Sequence, residues 1–157
     1  MGAHCREEGT RLILTAPAGL HGADITLGFP SVGATETLLL AAVCAQGETV
    51  LRGAAREPEI VDLAAFLNRC GGCVQGAGTG TVRVQGRRVL YGCSFAPMAD
   101  RIVASTLACA CAAAGGRVEL TGCAPAVYAP LLEILAQMGC GIETGPKVRS
   151  LSGPVRC

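Results

Sequence analysis

The sequence predicts an α/β protein assembled from repeated βαβαββ units, with apolar helices inside and sheets and amphipathic helices outside. Three observations predict it. A pattern of glycine, short strand, glycine occurs twice, at Gly47–Gly53 and Gly116–Gly122, an offset of 116 − 47 = 69 residues. An alanine-rich helical pattern precedes each copy, and an amphipathic one follows it. Each amphipathic pattern ends at a small-residue turn, after which the chain alternates as a hairpin does.

In chain order, Met1-Gly2-Ala3 matches a later turn at Met138-Gly139-Cys140. Arg11–Leu14 then reads as the last strand of an earlier unit, so the chain enters its repeat midway. Asp24–Leu27 is the strand that opens the next unit, and Thr35–Ala45 is its alanine-rich helix. After the strand between Gly47 and Gly53 comes the amphipathic helix. Pro58 suits its first turn, where an N–H would lack an intrahelical partner. Glu57, Glu59 and Asp62 favour the positive end of its dipole, and Ile60, Leu63 and Leu67 form one apolar face. The helix stops at Cys70-Gly71-Gly72-Cys73, and Val74–Gly76 and Thr81–Gln85 then flank Ala77-Gly78-Thr79-Gly80 as a hairpin.

The second copy repeats the plan. Arg101–Ala114 is its alanine-rich helix, Leu131, Leu135 and Met138 carry the apolar face of the next, and Ile142–Thr144 with Val148–Leu151 form the hairpin. The alanine-rich helices are expected to be enclosed and the amphipathic ones half exposed. A unit of this kind does not bury its own faces without neighbours, so the chain reads as an internal piece of a longer protein.

Half of the 157 residues are apolar, enough for a core. The longest uncharged apolar stretch, Ile102–Gly116, is shorter than the ~18–20 residues that span a bilayer. Met1–Gly9 carries His4, Arg6, Glu7 and Glu8 where a signal peptide needs an apolar run, so no membrane role and a cytoplasmic location are expected. Thirteen basic against twelve acidic residues, spread along the chain, form no basic patch, and the absence of Trp removes a stacking platform; nucleic acid is therefore not an expected partner. Of the ten cysteines, Cys44, Cys109, Cys111 and Cys123 sit among Ala, Val and Leu and read as small hydrophobes. Cys70-Gly71-Gly72-Cys73 has the spacing of a zinc knuckle or a redox pair. It has no matching second pair, the alternative being a helix-ending turn, and no metal or other cofactor is assigned.

Phe29-Pro30-Ser31-Val32-Gly33-Ala34-Thr35-Glu36 and Ala54-Ala55-Arg56-Glu57-Pro58-Glu59-Ile60-Val61-Asp62 closely resemble consecutive motifs of the enolpyruvyl transferases, specifically the UDP-N-acetylglucosamine 1-carboxyvinyltransferases. Ala99-Asp100-Arg101-Ile102 resembles the segment where those enzymes pass from one domain to the next. Ala99 stands where the family usually has Pro, and Val103 where many members have Glu. The resemblance implies an inside-out α/β barrel, with residues 1–96 as the C-terminal part of a first domain and 97–157 as the first part of a second. It also implies the reaction, transfer of the enolpyruvyl group of phosphoenolpyruvate to UDP-N-acetylglucosamine. That is the first committed step of peptidoglycan synthesis, and so of cell wall biogenesis, cell shape and cell division.

The candidate site residues combine both kinds of reading. Ser31-Val32-Gly33-Ala34 at a helix start is either an anion site, because the first N–H groups lack intrahelical partners, or an ordinary serine cap. Gly33 would allow close approach. The resemblance implies that Phe29, Pro30, Ser31, Val32 and Gly33 contact the UDP part of the sugar nucleotide. Glu57 either holds a substrate hydroxyl or organises Arg56, or both are solvated. Asp100 and Arg101 are either a local ion pair or, with Arg56, part of a hinge or cleft. Addition of a sugar hydroxyl to the enol carbon, then loss of phosphate, needs a general acid, a base and cationic clamps. The resemblance places the loop nucleophile and most clamps before the matched part and the catalytic Asp after it. No residue here is assigned a catalytic role, and the isolated chain is expected to be inactive. The competing readings are the sister enzyme acting on shikimate 3-phosphate, a cysteine-based metal or redox module, and a non-catalytic relic that binds a sugar nucleotide or a partner.

Overall fold

The computed structural model describes residues 1–87, 89–144 and 148–152. The chain divides into two compact units, Met1–Pro97 and Met98–Cys157.

The first unit begins with an antiparallel hairpin, β1 (His4–Glu8) and β2 (Arg11–Thr15), in which His4 faces Thr15 and Glu8 faces Arg11. A complete βαβαββ unit follows: β3 (Asp24–Thr26), α1 (Val32–Val43), β4 (Glu48–Arg52), α2 (Pro58–Arg69), β5 (Val74–Gln75) and β6 (Thr81–Gln85). Its sheet runs in the order β3-β4-β6-β5. β3 lies parallel to β4, as a strand-helix-strand crossover requires, and the other pairs are antiparallel. In β6 the period-2 pattern is visible directly: Val82 and Val84 are fully buried while Arg83 between them is exposed. The central strand β4 buries Thr49, Val50 and Leu51 in succession, the signature of a strand covered on both faces. In α2, Ile60, Ala64 and Leu67 form the buried stripe.

The second unit repeats the later part of this plan. It contains α3 (Arg101–Ala114), β7 (Arg117–Thr121), a 3₁₀ turn at Pro125–Val127, α4 (Ala129–Gln137), β8 (Gly141–Thr144) and β9 (Val148–Ser152). The order β7-β9-β8 matches β4-β6-β5, with the last strand in the middle both times. Ala108, Leu120, Tyr128, Leu132 and Leu135 make its core.

The repeat also appears in the turns. Gly2, Gly71 and Gly139 stand at offsets of 71 − 2 = 69 and 139 − 71 = 68, and all three adopt positive φ, at 84°, 90° and 89°. Side chains avoid that region, so each turn needs its glycine.

Some expectations are corrected. α1 starts at Val32 rather than Thr35, because Ser31 caps it and adds a turn. Each alanine-rich helix buries one face on its own unit, with Leu40 of α1 and Ile102, Val103 and Leu107 of α3 exposed on the other. Met138 is 66% exposed, and Leu132 holds the buried position instead. Met138 lies past the last helical residue and lines an open groove with Leu131 and Leu135. Cys111 and Cys123 are buried, whereas Cys44 and Cys109 are exposed. An apolar neighbourhood in sequence does not specify the side of the helix.

Candidate functional site

The first unit positions most of the candidate residues through one buried threonine. Ser31 is extended (φ −93°, ψ 123°) and its Oγ accepts from the Ala34 amide at 3.3 Å, so the serine cap is realised. One turn on, the fully buried Thr35 hydroxyl donates to the Ser31 carbonyl at 2.7 Å and accepts from the Ala55 amide at 3.0 Å. The start of α1 is thereby tied to the loop before α2, across 20 residues of sequence.

Two backbone contacts complete the frame. The Ala54 amide donates to the Gly80 carbonyl at 3.2 Å, bringing the turn of the β5–β6 hairpin to the same loop. Gly53 has φ +68°, and a Cβ there would lie 2.8 Å from the Leu27 carbonyl oxygen. No other residue fits without moving β3 from β4.

Between these elements lies an open cleft of about 420 Å³ lined by Pro30, Gly53, Ala54, Arg56, Glu57 and Gly80. The Arg56 guanidinium rests over Gly80, where a Cβ would come within 2.9 Å of Nη2. The side chain is exposed, and among the described residues no hydrogen bond or ion pair holds its guanidinium. Glu57 occupies the N-cap position of α2 without capping the helix; its Oε2 accepts from the Arg56 backbone amide at 2.8 Å. The carboxylate thus fixes the backbone that presents Arg56. A cation with donors to spare, in a cleft floored by glycine and alanine, suits an anionic or polyhydroxyl ligand.

Of the predicted residues, Pro30, Arg56 and Glu57 meet in this cleft, and Ser31 is tied to it through Thr35. Phe29 is 72% exposed on the approach to α1. Val32 and Gly33 form the first turn of α1. Gly33 has no described atom within 4 Å of the place a Cβ would occupy and no positive φ. Neither packing nor conformation requires glycine there. Asp100 belongs to the second unit and caps α3, its Oδ1 accepting from the Ile102 and Val103 amides at 2.7 and 3.2 Å. Arg101 is the first residue of that helix. The cap gives Asp100 a local task different from an ion pair. Thr35, Gly53 and Gly80 were not among the expected site residues. The one signal for Thr35 was its place four residues after a serine cap, and nothing in the sequence pointed to Ala55.

Cys70-Gly71-Gly72-Cys73 is the turn that ends α2, with Cys70 at the C-cap. Among the described residues no group of three or more His, Cys, Asp or Glu side chains is arranged to hold a metal ion. No described helix is long and apolar enough to cross a membrane.

Comparison with known proteins gives these features a family. The UDP-N-acetylglucosamine 1-carboxyvinyltransferase of Nitratidesulfovibrio vulgaris is 50% identical over 124 residues, 79% of this chain and 30% of that protein. The UDP-N-acetylglucosamine 1-carboxyvinyltransferase 1 of Symbiobacterium thermophilum is 44% identical over 157 residues, 99% of this chain and 35% of that protein. The chain therefore spans about a third of the length of these relatives. The structure of the enolpyruvyl transferase NikO from Streptomyces tendae superposes with a TM-score of 0.80 at 24% identity, covering 98% of this chain and 40% of that one, and shows the same fold. The family profile of EPSP synthase (3-phosphoshikimate 1-carboxyvinyltransferase) matches residues 1–156. A match over that span, on a fold that NikO shares, makes this chain a member of the EPSP synthase (3-phosphoshikimate 1-carboxyvinyltransferase) family.

Proposed function

We propose that this chain supplies part of the sugar-nucleotide site of an enzyme that transfers the enolpyruvyl group of phosphoenolpyruvate to UDP-N-acetylglucosamine. Its relatives named UDP-N-acetylglucosamine 1-carboxyvinyltransferase support the substrate choice. The observation that carries the local reading is the cleft beneath Arg56, held by the Thr35 hydrogen bonds. In this reading the first turn of α1, Val32 and Gly33, offers amides to the UDP portion, and the empty space at Gly33 lets the ligand close on the backbone. Arg56 donates to an anionic or hydroxyl oxygen, and Glu57 holds its backbone in place. Residues 1–96 and 97–157 belong to consecutive domains, and Asp100 and Arg101 lie where the chain passes between them. The work of the whole protein is cytoplasmic, in peptidoglycan synthesis.

The chemistry joins the enol carbon to a sugar hydroxyl oxygen and then expels phosphate. It requires a proton donor at the methylene carbon and a base at the hydroxyl. We assign neither to this chain and infer that alone it turns over no substrate. Phosphate release from phosphoenolpyruvate plus UDP-N-acetylglucosamine above an enzyme-free blank would refute that.

Calorimetric titration of the chain tests the binding reading. UDP-N-acetylglucosamine is expected to bind and shikimate 3-phosphate not to. Arg56→Ala is expected to weaken binding about tenfold, in line with the loss of one charge-assisted hydrogen bond of roughly 1.5 kcal/mol. Preference for shikimate 3-phosphate, or unchanged affinity in the arginine variant, would overturn the assignment.

A further inference from the structure

Among the described residues, 86–87 and 89–97 at the end of the first unit form no regular secondary structure, yet several of them are held closely. The Arg87 amide donates to the Val43 carbonyl at 2.7 Å and the Tyr91 amide to the Cys70 carbonyl at 2.8 Å. The Tyr91 ring lies over Gly71, where a Cβ would come within 3.0 Å of it. Phe95 meets Phe66 of α2 edge to face, with ring centroids 5.4 Å apart. These contacts set the segment against the C-terminal ends of α1 and α2 and bring together two sulfurs 23 residues apart in sequence. Cys70 Sγ and Cys93 Sγ are 3.5 Å apart.

The two thiols differ in access. Cys70 is buried at the end of α2, whereas Cys93 is half-buried and lines an open groove of about 370 Å³ with Phe66, Phe95 and Pro97. We propose that Cys70 and Cys93 are a reversible disulfide site, oxidised by hydroperoxides, that locks the segment through Tyr91 and Phe95 onto the end of α2.

The division of labour follows from access. The Cys93 thiolate reaches peroxide through the groove and attacks one peroxide oxygen. The O–O bond breaks, the sulfur becomes a sulfenic acid, and the other oxygen leaves as water after taking a proton. The Cys70 sulfur, as thiolate, then attacks the Cys93 sulfur, expelling the sulfenic oxygen as a second water once it is protonated. Two thiols and one hydrogen peroxide thus give one disulfide and two waters. Burial and the hydrogen bond with Cys93 raise the Cys70 pKa, which keeps Cys70 more protonated and leaves the first attack to Cys93. A thiol reductant reverses the bond by exchange.

The test treats the full chain with hydrogen peroxide, blocks remaining thiols with an alkylating reagent, and maps disulfides by mass spectrometry without reduction. The expected result is a peptide pair linking Cys70 to Cys93, lost on treatment with dithiothreitol. Limited proteolysis around Tyr91 is expected to slow on oxidation, and Cys93→Ser, which alters a half-buried position, is expected to abolish that slowing. A Cys70–Cys73 or Cys73–Cys93 link as the main product would overturn the proposal. So would oxidation confined to the exposed Cys5, Cys44 and Cys109 while Cys70 and Cys93 stay reduced.

Discussion

Replacing Thr35 and Thr49 with valine exchanges a hydroxyl for a methyl of similar size at two buried positions, and the two substitutions are expected to act with opposite signs. Both side chains are essentially inaccessible, at 0% and 1% exposure. Thr35 spends its hydroxyl on two bonds, to the Ser31 carbonyl and from the Ala55 amide. In Thr35→Val the Ser31 carbonyl keeps the Thr35 backbone amide as a donor, but the Ala55 N–H, in a residue that is itself fully buried, loses its acceptor. An orphaned buried donor costs about 1–3 kcal/mol, against which one buried methyl returns about 0.8 kcal/mol. The net expectation is a loss of roughly 0.2–2 kcal/mol by the same figures.

Thr49 Oγ1, in contrast, is buried with no hydrogen-bond partner among the described residues. Thr49→Val removes that unsatisfied hydroxyl and is expected to stabilise by about 1 kcal/mol. Urea unfolding reads both: at a slope of about 1–2 kcal/mol/M, a change of 1 kcal/mol moves the midpoint by about 0.5–1 M. Hydrogen exchange supplies the local readout. The Ala55 amide should exchange faster in Thr35→Val and stay protected in Thr35→Ser, which keeps the hydroxyl. Shifts of the same sign at Thr35 and Thr49, or an Ala55 amide indifferent to Thr35→Val, would refute the reasoning.

Gly53→Ala should destabilise the first unit by at least about 1 kcal/mol, because it adds a Cβ at φ +68° and against the Leu27 carbonyl; retained native stability by thermal melting would contradict this. Asp100→Ala removes a cap and should cost about 0.5–2 kcal/mol, with faster exchange at the Ile102 and Val103 amides of α3. The Asp24 carboxyl receives two hydrogen bonds from Arg52, at 3.0 and 3.1 Å, and these hold its pKa below the ordinary carboxylate value. A depressed carboxylate contributes stability that is present above its unfolded pKa and lost as pH falls through the folded value. Wild type and Asp24→Asn should therefore converge in stability as pH drops below the ordinary carboxylate range. Because the pair is exposed, added salt should raise the Asp24 midpoint seen by NMR.

The architecture was legible because its signals are local and repeated. Gly47–Gly53 and Gly116–Gly122 enclose β4 and β7, Pro58 opens α2, and Arg101–Ala114 is α3 with the expected bounds. Where the reading failed, the deciding quantity was the direction a side chain faces. Met138 continues the helical spacing numerically but follows the end of α4, and Cys44 and Cys109 share apolar neighbours with Cys111 while pointing away from the core.

The same distinction runs through the candidate site. Residue order alone established the repeat, its phase, the strand and helix sequence, and motifs long enough to carry a family resemblance. Each of these depends on side-chain periodicity or on backbone preferences within a few residues. Only the tertiary structure decided that Thr35 reaches Ala55, that Arg56 lies on Gly80 in a cleft also lined by Pro30, and that Cys70 meets Cys93. Those pairs are 20 or more residues apart, and their contact follows from how helices and strands pack, which leaves no periodic trace in the chain.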